Sequence, residues 1–254
     1  MKKIGSVKLG DGMPAVCVPV MGKDFSELKH SLEATGQVPH DVVELRMDSL
    51  EQAQSKGMVR KALSLAREVL PQMNLLYTFR TAEEGGEQEI SEDRYFTMLG
   101  EAVESGLADA VDIEFYKDGD KISGMIEKAK KQKVFVILSS HDFQKTPPRE
   151  ELINRLITMR DLGADAAKIA CMPENDEDVF TLMGATAEVK RRFPDQLLIT
   201  MAMGGRGTLS RIGGETDGSC LTFGCAEKAS APGQMNAGDL RKILESIHSA
   251  MQKV

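Results

Sequence analysis

Residues 134–173 read VFVILSSHDFQKTPPREELINRLITMRDLGADAAKIACMP, and this stretch decides the fold. It opens on a strand-like run, 134–139, whose first five residues, VFVIL, are all apolar. Such a run suits a strand buried on both faces. Pro147-Pro148 then mark a helix start before residues 149–162, because proline fits the first turn of a helix. A second apolar run, 166–172, returns to strand. Strand, helix and strand in that order make one parallel unit with a right-handed crossover.

The same unit recurs in both directions. Strand-like runs at 15–20, 42–47, 75–80 and 110–115 precede it, and runs at 197–203 and 219–224 follow. Helical stretches at 26–34, 57–70, 91–105, 119–131, 177–193 and 239–252 lie between and after them. GMVRKALSLAREVL, residues 57–70, spaces its apolar side chains at a helical period. Pro194 supplies a stop for 177–193. Eight such runs in 254 residues match an α/β fold of the (β/α)8 TIM-barrel type. A doubly wound open sheet is the other solution. No Gly-rich fingerprint follows the first run, which argues against its dinucleotide-binding form. No linker divides the chain, so one catalytic domain over residues 1–254 is expected. Residues 3–14 alternate apolar side chains around Gly10-Asp11-Gly12 and predict an N-terminal β-hairpin closing one barrel end.

Composition bounds the function. The net charge is -7 with mixed signs, which excludes a broad nucleic-acid footprint. No apolar run approaches the roughly 20 residues of a membrane span. Met1-Lys2-Lys3 has no apolar stretch behind it, so no secretion signal is read. Cys17, Cys171, Cys220 and Cys225 form no CxxC pair and no His stands at metal-ligand spacing. They read as reduced core thiols of a cytoplasmic protein, with no metal expected.

In barrels the reacting groups gather at the C-terminal ends of the strands. Glu44 and Arg46 share one face of the second run, as Asp112 and Glu114 do in the fourth. Either pair is open to a structural reading as buried charges meeting partners. The third run ends in Phe79-Arg80, and Glu84 follows beside Gly85-Gly86, in a loop that also reads as plain surface. His141 ends the fifth run, where an imidazole suits proton transfer. Lys168 is the sharpest signal, a single cation inside AAKIACMP. Burial disfavours an ammonium and makes a nucleophilic amine available, although a lysine can also snorkel from a strand end. In the late loops, Arg211 offers a planar fork for a carboxylate, and Ser230 and Gln234 offer hydroxyl and amide contacts. Gly204, Gly205 and Gly207 equally permit a phosphate cradle, and the small residues around Ser230 suit a movable cover.

Seven segments together carry a resemblance: MPAVCVPVMGKD, VVELRMD, YTFRTAEEGGEQ, SSHDFQKTP, AAKIACMP, TMAMGGRGTLSRIGGE and ASAPGQ. In this order and spacing the chain resembles the type I 3-dehydroquinate dehydratases over essentially its whole length. The resemblance implies a barrel, usually a homodimer, that uses no metal or cofactor and acts on 3-dehydroquinate in the shikimate pathway. It implies that Lys168 forms a protonated imine with the ring ketone. His141 is then the proton shuttle and Glu84 its partner. Glu44, Arg46 and Arg80 match substrate contacts, Arg211 the carboxylate clamp, and Ser230 and Gln234 the closing-loop contacts. Two places depart from the pattern. Pro19 stands where some members carry a polar residue, and Gly204-Gly205-Arg206 stands where relatives often place a lysine. The rival activities are a Schiff-base aldolase-type lyase, which would need a phosphate site in the late loops, and a catalytically silent metabolite-binding barrel.

Overall fold

The computed structural model describes residues 2–227 and 230–253. β1 (Lys3–Ile4) and β2 (Val7–Lys8) pair antiparallel. The barrel strands follow: β3 (Ala15–Val20), β4 (Val42–Arg46), β5 (Asn74–Thr78), β6 (Ala110–Glu114), β7 (Phe135–Asp142), β8 (Ala166–Cys171), β9 (Leu197–Ala202) and β10 (Leu221–Cys225). Between them run α1 (Phe25–Thr35), α2 (Met58–Val69), α3 (Glu92–Glu104), α4 (Gly119–Lys131), α5 (Arg149–Asp161) and α6 (Asp176–Arg192). Two short helices, α7 (Thr208–Ile212) and α8 (Gly214–Asp217), connect β9 to β10. A two-residue strand, β11 (Met235–Asn236), and α9 (Ala237–Met251) end the fold.

All pairings from β10 through β3 to β9 are parallel and sequential. The seam between β9 and β10 is closed by a parallel bridge from Leu198 to Ser219. There the Cys220 N–H donates to the Leu198 carbonyl at 2.8 Å. The expected TIM barrel is therefore the observed one. Its strands are buried on both faces, which accounts for their largely apolar runs. One face fills the barrel interior with Cys17, Leu76, Ile137, Ala166, Ile199 and Leu221. The other packs against the helices through Val43, Leu75, Val136 and Leu198, with Leu63 and Leu156 from the helical side.

Helix starts follow local chemistry. Asp24 accepts from the N–H groups of Ser26 and Glu27, Ser91 from Arg94, and Asn175 from Asp178. α6 begins with Asp176, Glu177 and Asp178 and ends with Lys190, Arg191 and Arg192, matching the helix dipole at both ends.

Three details differ from the sequence reading. The N-terminal hairpin turns at Gly5-Ser6, not at Gly10-Asp11-Gly12. The hairpin still closes the barrel: Ile4 and Leu9 join the interior cluster, and Asn74 accepts from the Ser6 N–H at 2.8 Å. Strand β7 runs on to Asp142, because Ser140, His141 and Asp142 keep register with Ile169, Ala170 and Cys171. The Gly-rich stretch after β9 is largely helical. Gly207 lies where a Cβ would meet the Ala202 carbonyl oxygen at 2.1 Å, so only glycine allows this tight return.

The seam yields a stability prediction. Ser219 Oγ accepts from the Thr200 N–H at 3.0 Å and is buried. Ser219→Ala strands that N–H, so urea unfolding is expected to show a loss of about 1–3 kcal/mol. Unchanged stability would mean the seam does not depend on this bond.

Candidate active site

Alternation along the strands sends one set of polar side chains into the C-terminal end of the barrel. Glu44 and Arg46 come from β4, Asp112 and Glu114 from β6, Ser139 and His141 from β7, and Lys168 from β8. With Arg80, Glu84, Arg211, Ser230 and Gln234, most of them line a cavity of about 230 Å³. Met201, Met203, Phe143 and Phe223 supply apolar wall. The sequence-predicted residues Lys168, His141, Glu84, Glu44, Arg46, Arg80, Arg211, Ser230 and Gln234 all border this cavity.

Lys168 is not a lone cation among apolar neighbours. Its Nζ donates to Asp112 Oδ2 at 2.9 Å and stands 3.9 Å from Glu44 Oε1. Glu44 is fixed in turn by the Thr78 hydroxyl at 2.9 Å. Asp112 also accepts from Arg80 at 2.8 Å and from the Ser139 hydroxyl. Burial alone would raise the Asp112 carboxyl, but the Arg80 and Lys168 cations hold it well below the usual carboxylate range. Asp112 is thus a fixed anion that anchors the amine.

Arg80 carries the electrostatic balance. Its terminal nitrogens donate to Asp112, to Glu114 at 2.9 Å and to Ser139 at 3.2 Å, with Glu84 at 3.5 Å. The resemblance implied a substrate contact for Arg80. The structure places it at the cavity wall with both terminal nitrogens committed to protein partners. Arg46 is braced by Asp48, which accepts from its Nε at 2.9 Å and Nη2 at 2.8 Å. The same carboxylate accepts from the backbone N–H groups of Arg80 and Glu87. Burial would raise Asp48, and Arg46 outweighs it, leaving the carboxyl below its ordinary value.

His141 and Glu84 form a tight pair. Nδ1 lies 2.8 Å from Glu84 Oε2, and the His141 N–H donates to the same oxygen at 3.1 Å. Gly85 has φ +82°, and a Cβ there would strike the Phe143 ring at 2.3 Å. Glycine therefore lets the Glu84 loop lie against β7. Burial pushes the Glu84 carboxyl up to about 8 against the pull of Arg80. Burial first, and then the Arg80 and Lys168 cations, push the His141 imidazole well below its usual range.

Arg211 is the unusual cation. It is only 1 % exposed, yet its Nε and Nη1 find no hydrogen-bond partner among the described residues. Only Nη2 is engaged, donating to the Pro232 carbonyl at 3.0 Å. Burial pulls this guanidinium down to about 10, which still leaves it charged at neutral pH. Ser230 and Gln234 bond each other, Gln234 Nε2 donating to Ser230 Oγ at 2.9 Å. Lys228 and Ala229 of the same loop motif lie outside the described residues. Among the described residues no group of three or more His, Cys, Asp or Glu could hold a metal ion.

Sequence reasoning noted Asp112 and Glu114 but gave them no part in the site, and it passed over Asp48, Thr78, Ser139 and Phe223. Asp48 was within reach, as a carboxylate two residues from the Arg46 guanidinium. Ser139 and Phe223 carry no signal beyond lumen-facing parity.

The fold and this cavity define a TIM-barrel enzyme with a buried lysine at its mouth. Residues 16–251 match the family model for type I 3-dehydroquinase. A 3-dehydroquinate dehydratase of Bacillus licheniformis is 44% identical over 246 residues, covering 97% of each chain. One from Clostridium novyi is 42% identical, covering 98% of each. The solved type I enzyme of Clostridium difficile, which holds covalently modified comenic acid, superposes with a TM-score of 0.94. It is 38% identical, with 98% of this chain and 97% of that one covered. The chain belongs to the type I 3-dehydroquinase family. Its activity is that of a hydro-lyase of the shikimate pathway, taking 3-dehydroquinate to 3-dehydroshikimate.

The charge network makes its own prediction. Arg80→Met removes the cation shared by Asp112 and Glu114, which are 1% and 0% exposed, leaving them only Lys168 and Lys117. Denaturant unfolding is expected to show a loss of about 3–5 kcal/mol, as for other buried ion pairs broken from one side. Stability within experimental error of the parent would show that the carboxylates are balanced elsewhere.

Proposed function

We propose that the dehydration runs through a covalent imine on Lys168, with His141 moving the protons. The carrying observation is the placement of one buried amine, held by Asp112 and Glu44, in the same cavity as a buried arginine with no anion beside it among the described residues. Arg211, with Nε and Nη1 unpartnered among the described residues, suits a substrate carboxylate through charge-assisted hydrogen bonds. That contact fixes the ring so that its ketone faces Lys168. The covalently modified ligand of the Clostridium difficile relative supports an attacking group in this kind of site.

The chemistry follows from what a ketone lacks. A neutral carbonyl is a poor sink for electrons released from the neighbouring C–H bond. The uncharged amine of Lys168 adds to it, water leaves, and the resulting cationic imine draws those electrons in. His141 takes the proton through Nε2 while Glu84 holds Nδ1–H and orients the ring. The imidazolium then returns a proton to the departing hydroxyl. Water hydrolyses the conjugated imine and frees Lys168. Arg46 borders the cavity with its fork preset by Asp48, and Glu44 stands beside the amine, so both suit the substrate hydroxyls. Ser230 and Gln234 would exchange their mutual bonds for substrate contacts. Arg80 serves the substrate indirectly, as the counter-ion that keeps Asp112, Glu114 and Glu84 in one cavity wall.

In this reading residues 1–254 form a single catalytic domain of a cytoplasmic homodimer. Four free, buried thiols suit a reducing compartment. Phe180 on α6 and Leu209 on α7 are exposed, apolar surface that a second copy would cover.

Appearance of the conjugated enone product in the ultraviolet tests the roles directly. Lys168→Ala is expected to abolish it, and so is Lys168→Arg, because a guanidinium stays charged. His141→Ala is expected to slow turnover by about 10²–10⁴-fold. Parent rates in either lysine variant would refute the covalent route.

A pH profile tests the Glu84 assignment. Its carboxyl takes up a proton as pH falls through about 8. The protonated acid donates to Nδ1, which moves the imidazole hydrogen to Nε2 and leaves no base. kcat/KM is therefore expected to rise with pH through about 8. Glu84→Gln cannot take up that proton, so its residual activity should lack this limb. An unchanged limb in the variant would assign it to another group.

A further inference from the structure

Phe223 stands on β10 with its ring against the amine of Lys168. Nζ lies 4.8 Å from the ring centroid, within the roughly 6 Å over which a cation is drawn to an aromatic face. The ring is buried at 4% exposure and lines the cavity, so solvent does not weaken this attraction. The other close neighbours of Nζ are Asp112 at 2.9 Å and Glu44 at 3.9 Å.

These neighbours act differently as the nitrogen changes. Carboxylates hold a nitrogen best through its N–H groups, and an ammonium has three. When the free amine adds to the ketone, a C–N bond forms. The carbonyl oxygen takes one proton from the nitrogen and one from the medium, and it leaves as water. The nitrogen keeps one N–H and a full positive charge. Two donors are gone, yet the charge remains. An aromatic face attracts that charge without needing any N–H, and it offers no lone pair to strip the proton away.

We propose that Phe223 is a catalytic residue of this reaction: its π face stabilises the cationic imine nitrogen of Lys168 once the flanking carboxylates have only one N–H left to grip. The inference rests on the imine reading given above. It goes further by giving an apolar wall residue an electrostatic task on the reacting atom.

The test varies the charge on the ring face while leaving its shape nearly constant. Phe223 is replaced by 4-fluoro-, 3,5-difluoro- and 3,4,5-trifluorophenylalanine, and by Leu. Two quantities are read with 3-dehydroquinate: kcat/KM, and the fraction of protein trapped by borohydride at subsaturating substrate. Both should fall stepwise with each added fluorine, reaching about a 10-fold loss in the trifluoro protein, with Leu at least as low. Parent values across the fluorinated series would overturn the proposal, whatever Leu does, because a packing role responds to shape and not to ring charge. A flat series with adduct still on Lys168 defeats this inference alone. Absence of any adduct in the parent protein defeats the imine reading as well.

Discussion

The site depends on where one nitrogen is held. Lys168 Nζ is fixed by the Asp112 carboxylate at 2.9 Å, and Asp112 is itself fixed by Arg80 and Ser139. Isolated, each of these buried charges would be costly, because moving an ion out of water loses several kcal/mol after relaxation. Assembled, they offset one another: Arg80 faces Asp112, Glu114 and Glu84, while Lys168 faces Asp112 and Glu44. The barrel makes this assembly possible. Parallel strands in register bring side chains far apart in sequence to one end of the lumen, such as Ser139 beside Lys168 on adjacent strands.

Against this balanced network, Arg211 stands apart. It is as buried as Asp112 but has no anion beside it among the described residues, and its only partner is a backbone carbonyl. A protein retains an unpaired buried cation at a cost, and the natural offset is a ligand that brings the opposite charge. The cavity is therefore divided by charge. Carboxylates and an amine meet the reacting ketone, and an open guanidinium meets the carboxylate of the substrate. The His141–Glu84 pair lies along the same wall, where burial raises the carboxyl and lowers the imidazole.

Much of this was legible in the chain itself. The apolar runs and the Pro147-Pro148 helix start carried the barrel, because strands buried on both faces leave an unambiguous trace. Lys168 was legible for the opposite reason, as a charge where the pattern demands none. The surroundings of Lys168 were not. Asp112 lies 56 positions away from it and Arg80 lies 32 from Asp112. Pairing across such distances is set by register, which local sequence does not record. The hairpin turn was misplaced because Gly10-Asp11-Gly12 is the stronger turn signal. The observed turn at Gly5-Ser6 is favoured by contacts elsewhere, with Asn74 taking the Ser6 N–H and Ile4 and Leu9 filling the barrel floor. The helices of 208–217 were hidden by Gly213 and Gly214, whose low helix propensity is overridden by close packing, a Cβ on Gly214 meeting the Ser219 carbonyl oxygen at 2.5 Å.

The mass of the intact protein after borohydride treatment with 3-dehydroquinate bears most directly on the covalent account. A gain equal to substrate or dehydrated product less one oxygen atom, confined to the peptide that contains Lys168, is the predicted result. An unmodified mass under conditions of full turnover would contradict it.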